Sequence, residues 1–121
     1  MLIQILKSKI QELVVSESSI LYPGSIALPL ELMKAASIRE FELVHVNNKT
    51  NGNRITTYAV PSGKPGFVTV NGAASRLFNK GDLIHVLSFA YLDEKESGSF
   101  SPILVKTDDS NKIKEAGSYI L

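Results

Sequence analysis

Four stretches of the chain carry the hydrophobic pattern of β-strands: Glu42 to Val46, Arg54 to Val60, Gly66 to Val70 and Asp82 to Tyr91. Each is rich in β-branched and aromatic residues and is bounded by turn formers. Asn51-Gly52, between the first two, is a hairpin signal, because the turns that match strand twist need positive φ. Helical spacing shows in two short places. Leu30, Met33 and Ala36 predict a helix over Pro29–Ala36, with the proline in its first turn. Ala73–Phe78 predicts a second, too short to hold without packing. Beyond Asp93 the pattern weakens. Residues 94–99 read as an exposed loop, Pro102 to Lys106 as one more strand at a sheet edge, and Asp108 to Lys112 as a turn. The last residues read as a segment that frays or packs on a neighbour. Many short strands joined by brief helices imply a small closed barrel, in one domain over residues 1–121.

Composition narrows the function classes. With 121 residues, 44% hydrophobic and 21% charged, the chain is an ordinary globular domain that buries one core without disulfides or metals. A net charge of +1 lacks the basic footprint of a nucleic-acid binder. The absence of cysteine removes disulfides, thiol nucleophiles and cysteine metal sites, and fits a reducing cytoplasm. Met1 to Leu6 is too short an apolar run for a signal peptide or a membrane span. A cytoplasmic protein without membrane or nucleic-acid partners is therefore expected. His45 and His85 lie in strand patterns with no carboxylate at metal-ligand spacing, so both read as structural or surface groups and no metal is expected.

Tyr22-Pro23-Gly24-Ser25 carries a different kind of chemistry. A serine hydroxyl can attack the preceding carbonyl and turn the peptide bond into an ester, and glycine leaves that carbonyl unshielded. β-Elimination would then free Gly24 as a carboxyl terminus and leave a dehydroalanine, which hydrolyses to a pyruvoyl group on the downstream piece. Such a ketone is an electron sink that no standard side chain offers. Gly-Ser is also a common turn dipeptide, so the pair alone decides nothing.

Its surroundings decide more. Lys7-Ser8-Lys9-Ile10, Tyr22-x-Gly24-Ser25, Asn51-Gly52-x-Arg54, Thr56-Thr57-Tyr58-Ala59 and Asn71-Gly72-Ala73-Ala74 before Gly81-Asp82 follow one another in order. That set resembles the pyruvoyl-dependent aspartate 1-decarboxylases, essentially without gaps from Met1 to about Tyr91. The resemblance implies a double-psi β-barrel, conversion of L-aspartate to β-alanine and CO2 for pantothenate and coenzyme A, and a homotetramer with active sites between subunits. It implies self-cleavage between Gly24 and Ser25, spontaneous or with a maturation helper protein, with a pyruvoyl cofactor made from Ser25 and neither metal nor pyridoxal phosphate.

Roles carry over residue by residue. Ser25 would become the pyruvoyl group that joins the substrate amine as a Schiff base. Tyr58 would return a proton after decarboxylation, since a phenol keeps its proton at neutral pH. Lys9 and Arg54 would meet the substrate carboxylates, Arg54 through a planar two-point fork. Thr57 would contact substrate and stabilise the oxyanion during cleavage. Asn71, Gly72, Ala73 and Ala74 would offer backbone N–H groups to a carboxylate. Three positions depart from the family pattern: Pro23 before the scissile pair, Gln11 where histidine is frequent, and Ser75 where alanine is common. Two other readings stay open at this stage: a non-enzymatic barrel module, and a pyruvoyl decarboxylase of another amino acid.

Overall fold

A computed structural model describes residues 1–21 and 25–121. It is built mainly from nine strands: β1 (Leu2–Val14), β2 (Glu17–Ser19), β3 (Ser25–Leu28), β4 (Leu43–Asn48), β5 (Arg54–Pro61), β6 (Thr69–Asn71), β7 (Leu83–Asp93), β8 (Ile103–Thr107) and β9 (Ile113–Ser118). Helix α1 (Leu30–Ala35) joins β3 to β4, a 3-10 helix (Gly72–Leu77) follows β6, and α2 (Glu94–Ser97) follows β7. Strands are hydrogen-bonded in the order β2-β6-β3-β5-β4-β7-β1-β8-β9. The mainly β, single-domain expectation holds. Strand pairing runs from β2 to β9 and no ladder joins those ends among the described residues, so pairing alone does not complete the expected closed ring.

The period-2 pattern of the strands sets the core. Ile55 pairs with Val46, Val46 with Val86, Val86 with Ile10, and Ile10 with Val105. That row runs across five strands, and Ile10, Val46, Val86 and Val105 are fully buried. Because side chains alternate, a one-residue slip of any member would turn its apolar set outward. Burying each such side chain stabilises the fold by roughly 1.5–3 kcal/mol. Two backbone bonds at the end of β1 tie the halves together: Val15 N–H donates to the Asp82 carbonyl (2.9 Å) and Ser16 N–H to the Val68 carbonyl (2.8 Å).

Five expectations need correction. Of the strand expected over Gly66 to Val70 only Thr69 and Val70 belong to β6, because Gly66 stands in a turn at φ 70° just before it. Leu2–Val14 is the longest strand and is not among the predicted ones, because Lys7, Ser8 and Lys9 interrupt its alternation. Register shifts at Lys7 and at Gln11-Glu12, where Glu12 has φ 62°, absorb the irregularity as bulges. Strand β8 is internal rather than at an edge, with β1 parallel on one side and β9 antiparallel on the other. Pro102 precedes it and removes no ladder donor, while its carbonyl accepts from Tyr119 N–H at 2.7 Å. Strand β9 is exposed throughout, so it carries no alternation to read. Finally, Glu94–Ser97 is a helical turn rather than a loop, capped by Asp93, whose carboxylate accepts from Lys95 N–H at 3.0 Å. The turn at Asp108–Lys112 is present as expected. Its Asn111 side chain bonds Val14 N–H and the carbonyls of Val14 and Gly66, pinning the carboxyl-terminal third to β1.

Candidate active site

Ser25 opens β3 between two partners. It pairs directly with Asn71 on β6, and the parallel register of β3 with β5 (Ile26 with Ala59), taken back one residue, sets it beside Tyr58. Asn71, Ser25 and Tyr58 thus form one cross-strand row on one face, while Ile26, Val70 and Ala59 of the adjacent row point into the core. The face is hollowed into a pocket of about 450 Å³ lined by Ser25, Tyr58 and Asn71 together with Phe41, Thr69 and Val60. Ser25 is only 5% exposed and Tyr58 38%. Asn71 Nδ2 donates to Thr69 Oγ1 (3.3 Å), whereas its buried Oδ1 has no hydrogen-bond partner among the described residues. The other members of the stretch expected to be cut, Tyr22, Pro23 and Gly24, lie outside the described residues.

The turn before β4 shapes the pocket mouth. Phe41 has φ 68°, a left-handed conformation that a bulky residue adopts only under strain. Its N–H is tied to the Ala59 carbonyl at 2.7 Å, and Ala59 N–H to the Glu42 carbonyl at 3.0 Å. Glu42 in turn accepts from Lys7 Nζ at 2.6 Å, and Lys7 also reaches the Ser37 carbonyl at 2.7 Å. These bonds hold the 69%-exposed Phe41 ring against Tyr58, centroids 6.2 Å apart. The side chain of Lys7 therefore acts on the turn rather than on substrate.

The predicted carboxylate-binding residues lie elsewhere on the same face. Arg54 is four residues from Tyr58 along β5, about 13 Å at the strand rise, and its Nε donates to Asn47 Oδ1 on β4 (2.9 Å), away from β3. Lys9 belongs to the row Thr56–His45–Leu87–Lys9, three strands from β5, with its ammonium 5.8 Å from the Tyr119 ring centroid. Neither lines the Ser25 pocket. Thr57 alternates with Tyr58 and pairs with Val44; it lines a separate depression with Phe41, Leu43, Thr56 and Tyr58. Gly72, Ala73 and Ala74 continue from Asn71 into the 3-10 helix, and the turn places Gly72 at φ 68°, which only glycine adopts without strain. The structure thus brings Ser25, Tyr58 and Asn71 together and sets Lys9 and Arg54 apart from them.

Two residues outside the expected site set stand at these places: Phe41, and His85, which the sequence reads as a structural or surface group. Phe41 follows no pattern, since nothing in a one-dimensional reading signals a left-handed aromatic. His85 lies opposite Asn47, with its Nε2 buried, without a hydrogen-bond partner among the described residues and 3.7 Å from Glu12 Oε1. Burial, and then the charge of Lys9, hold its pKa below the ordinary imidazole value. Glu12 is held below the ordinary carboxylate value, chiefly by its hydrogen bond from Lys49 Nζ at 2.5 Å. Among the described residues no group of histidines and acids is placed to hold a metal, and no helix is long and apolar enough to cross a membrane.

Comparison with known proteins bears on this geometry. The family model described as aspartate decarboxylase matches residues 1–114, well past the point near Tyr91 where the motif resemblance fades. A protein of Xylella fastidiosa (strain 9a5c) named aspartate 1-decarboxylase is 46% identical over 112 residues, covering 92% of this chain and 89% of its own length. One of Hydrogenobaculum sp. (strain Y04AAS1), bearing the same name, is 43% identical over 111 residues, 92% of this chain and 88% of its own. A third, from Stenotrophomonas maltophilia (strain R551-3), is 41% identical over 119 residues, 98% and 94%. Over nearly its whole length, and with serine, tyrosine and asparagine gathered in one pocket, this chain belongs to the aspartate decarboxylase family.

Proposed function

We propose that this chain decarboxylates L-aspartate at its α-carbon to give β-alanine and CO2, after cutting itself between Gly24 and Ser25 into residues 1–24 and 25–121. The observation that carries the reading is the row Asn71–Ser25–Tyr58 on the floor of a 450 Å³ pocket. Ser25 is sheltered from bulk water there, and one neighbour is a phenolic hydroxyl while the other holds an amide oxygen with no partner among the described residues. These residues fit a pyruvoyl group at position 25. The group supplies a ketone that accepts the electron pair left as CO2 departs.

The other roles follow from position. Asn71 Oδ1 accepts a hydrogen bond from an N–H arriving in the pocket, and its Nδ2 stays anchored on Thr69. Tyr58, held at the pocket wall by Phe41, delivers the phenolic proton from Oη to the carbon that lost CO2. During maturation the Ser25 hydroxyl attacks the Gly24 carbonyl carbon, freeing the amine as the ester forms. Elimination then releases the Gly24 carboxylate, and water displaces ammonia. Thr57 steadies the oxyanion of that attack, and the N–H groups following Asn71 receive a carboxylate.

Lys9 and Arg54 hold the substrate carboxylates, and their distance from Ser25 favours a site shared between copies. A four-carbon diacid does not span about 13 Å of strand, whereas a second subunit docked on this face would bring its cationic end to the first subunit's pocket. Phe41, Leu43 and Tyr58 present the exposed apolar surface that such docking would cover. The assembly is a homotetramer in the cytoplasm, matured with or without a helper protein, and its product feeds pantothenate and coenzyme A synthesis.

The test is one intact-mass spectrum and one assay. Purified protein should show a piece ending at Gly24 and a larger piece, reactive with hydrazine and lighter by one ammonia than plain hydrolysis gives. It should release β-alanine from L-aspartate. Intact chain alone after prolonged warming, with and without cell extract, would falsify the reading.

A further inference from the structure

The cationic face contains one more basic side chain than the function uses. Asn47 stands directly opposite Arg54 on β5 and His85 on β7, so one residue joins the strand carrying the guanidinium to the strand carrying the imidazole. Leu87, two residues from His85 and on the same face, stands opposite Lys9. His85 therefore lies between the positions of Arg54 and Lys9. Its Nε2 is buried and finds no hydrogen-bond partner among the described residues, and Glu12 Oε1 at 3.7 Å is too far to serve as one. That carboxylate is already engaged by Lys49.

We propose that His85 is a third basic member of the carboxylate-binding face, taking up a proton when a dicarboxylate docks against Lys9 and Arg54. The inference rests on the functional reading above, which places the substrate carboxylates at those two residues. Charge on the surrounding elements explains the timing. Strand β1 contributes Lys9, Glu12 and the neutral Gln11; β4 contributes Asn47 and His45, with Lys49 just beyond; β5 contributes Arg54. Burial first, and then Lys9 and Lys49 against the single carboxylate of Glu12, hold the ring's pKa below the ordinary imidazole value in the free protein. Two incoming carboxylates reverse that balance, and the added proton gives Nε2 a charge that Glu12 and the ligand both attract.

Linkage sets the sign. A ring whose pKa rises on binding makes the ligand bind more tightly as pH falls through the interval between its bound and free values. The gain vanishes above the bound value, where the ring is neutral in both states.

Succinate is the probe, because it carries two carboxylates and no amine to condense with a carbonyl. Mature, assembled protein labelled at histidine carbons would be titrated by NMR with and without saturating succinate, the His85 signal being assigned by its loss in H85Q. The His85 midpoint should rise by about one unit or more. Calorimetry in two buffers of different ionisation enthalpy should show proton uptake with succinate. H85Q should take up essentially no proton and bind about tenfold more weakly at low pH, converging with wild type at high pH. An unmoved His85 midpoint while succinate binds would overturn the proposal, as would undiminished uptake in H85Q. Should H85Q fail to fold, a shift seen across both wild-type titrations for neither histidine would do the same. Wild-type protein that forms β-alanine with a static His85 sinks this inference alone; protein that forms none sinks the functional reading with it.

Discussion

The Ser25 end and the Arg54 end of one sheet face are built on opposite principles. Around Ser25, the side chains of Ser25, Asn71 and Thr69 are buried and set by cross-strand pairing, beside a strained turn that four hydrogen bonds hold in place. Around Arg54 they are long, charged and half-open, engaged with one another through Asn47, Glu12 and Lys49. The first arrangement suits bond making, where an error in placement of one ångström is expensive. The second suits capture of a charged ligand, which tolerates motion and responds to salt and pH. A single strand, β5, carries both Arg54 and Tyr58, four residues apart on one face, so the site proposed above would draw its two halves from different copies of the chain.

Substitutions can break this division. The largest effect is expected for Ser25→Ala, which lacks the attacking oxygen. It should fold, run as one uncut chain on a denaturing gel and form no β-alanine. Tyr58→Phe keeps the ring against Phe41, so cleavage should proceed while turnover falls by about 10² to 10⁴, the usual range for a general acid. Fragment pattern and β-alanine release measured side by side decide it; a cleaved mutant as active as wild type would remove Tyr58 from the chemistry. Arg54→Lys tests the other end. Loss of the two-point contact should lower kcat/KM for aspartate by about a hundredfold, with cleavage unaffected. If cleavage failed as well, the two ends would not be separable.

The smallest effect should come from the Glu12–Lys49 pair. Glu12 has a pKa below its ordinary value in the folded chain, so its contribution is present above the unfolded value and is lost as pH falls through the folded one. Both side chains are about half exposed, and an exposed pair is worth about 0.2–1 kcal/mol. Urea melts of wild type and Glu12→Gln should differ by that amount at neutral pH and coincide in strong acid. A larger gap persisting in acid would mean that Glu12 acts through the β1 bulge rather than through charge.

Local pattern carried the core strands because alternation is a property of neighbours in sequence. Glu42–Val46, Arg54–Val60 and Asp82–Tyr91 were legible, and so were the Asp108 turn and the short helix led by Pro29. Motif order carried the family, and with it Ser25, Tyr58 and Asn71 as candidates. Strands β1, β2, β3 and β9 were not legible: bulges break the period of β1, full exposure erases it in β9, and β2 and β3 are only three and four residues long. Pairing register lay further out of reach. Only the fold decided that Asn71 and Tyr58 flank Ser25, that Phe41 adopts a left-handed angle beside them, and that His85 shares Asn47 with Arg54. Residues 46, 33 and 38 positions apart meet through backbone ladders whose register depends on the whole sheet. The sequence by itself determined which chemical groups the chain owns and which faces they occupy; their mutual distances belong to the tertiary structure, because loop closure and ladder register are properties of the assembled sheet.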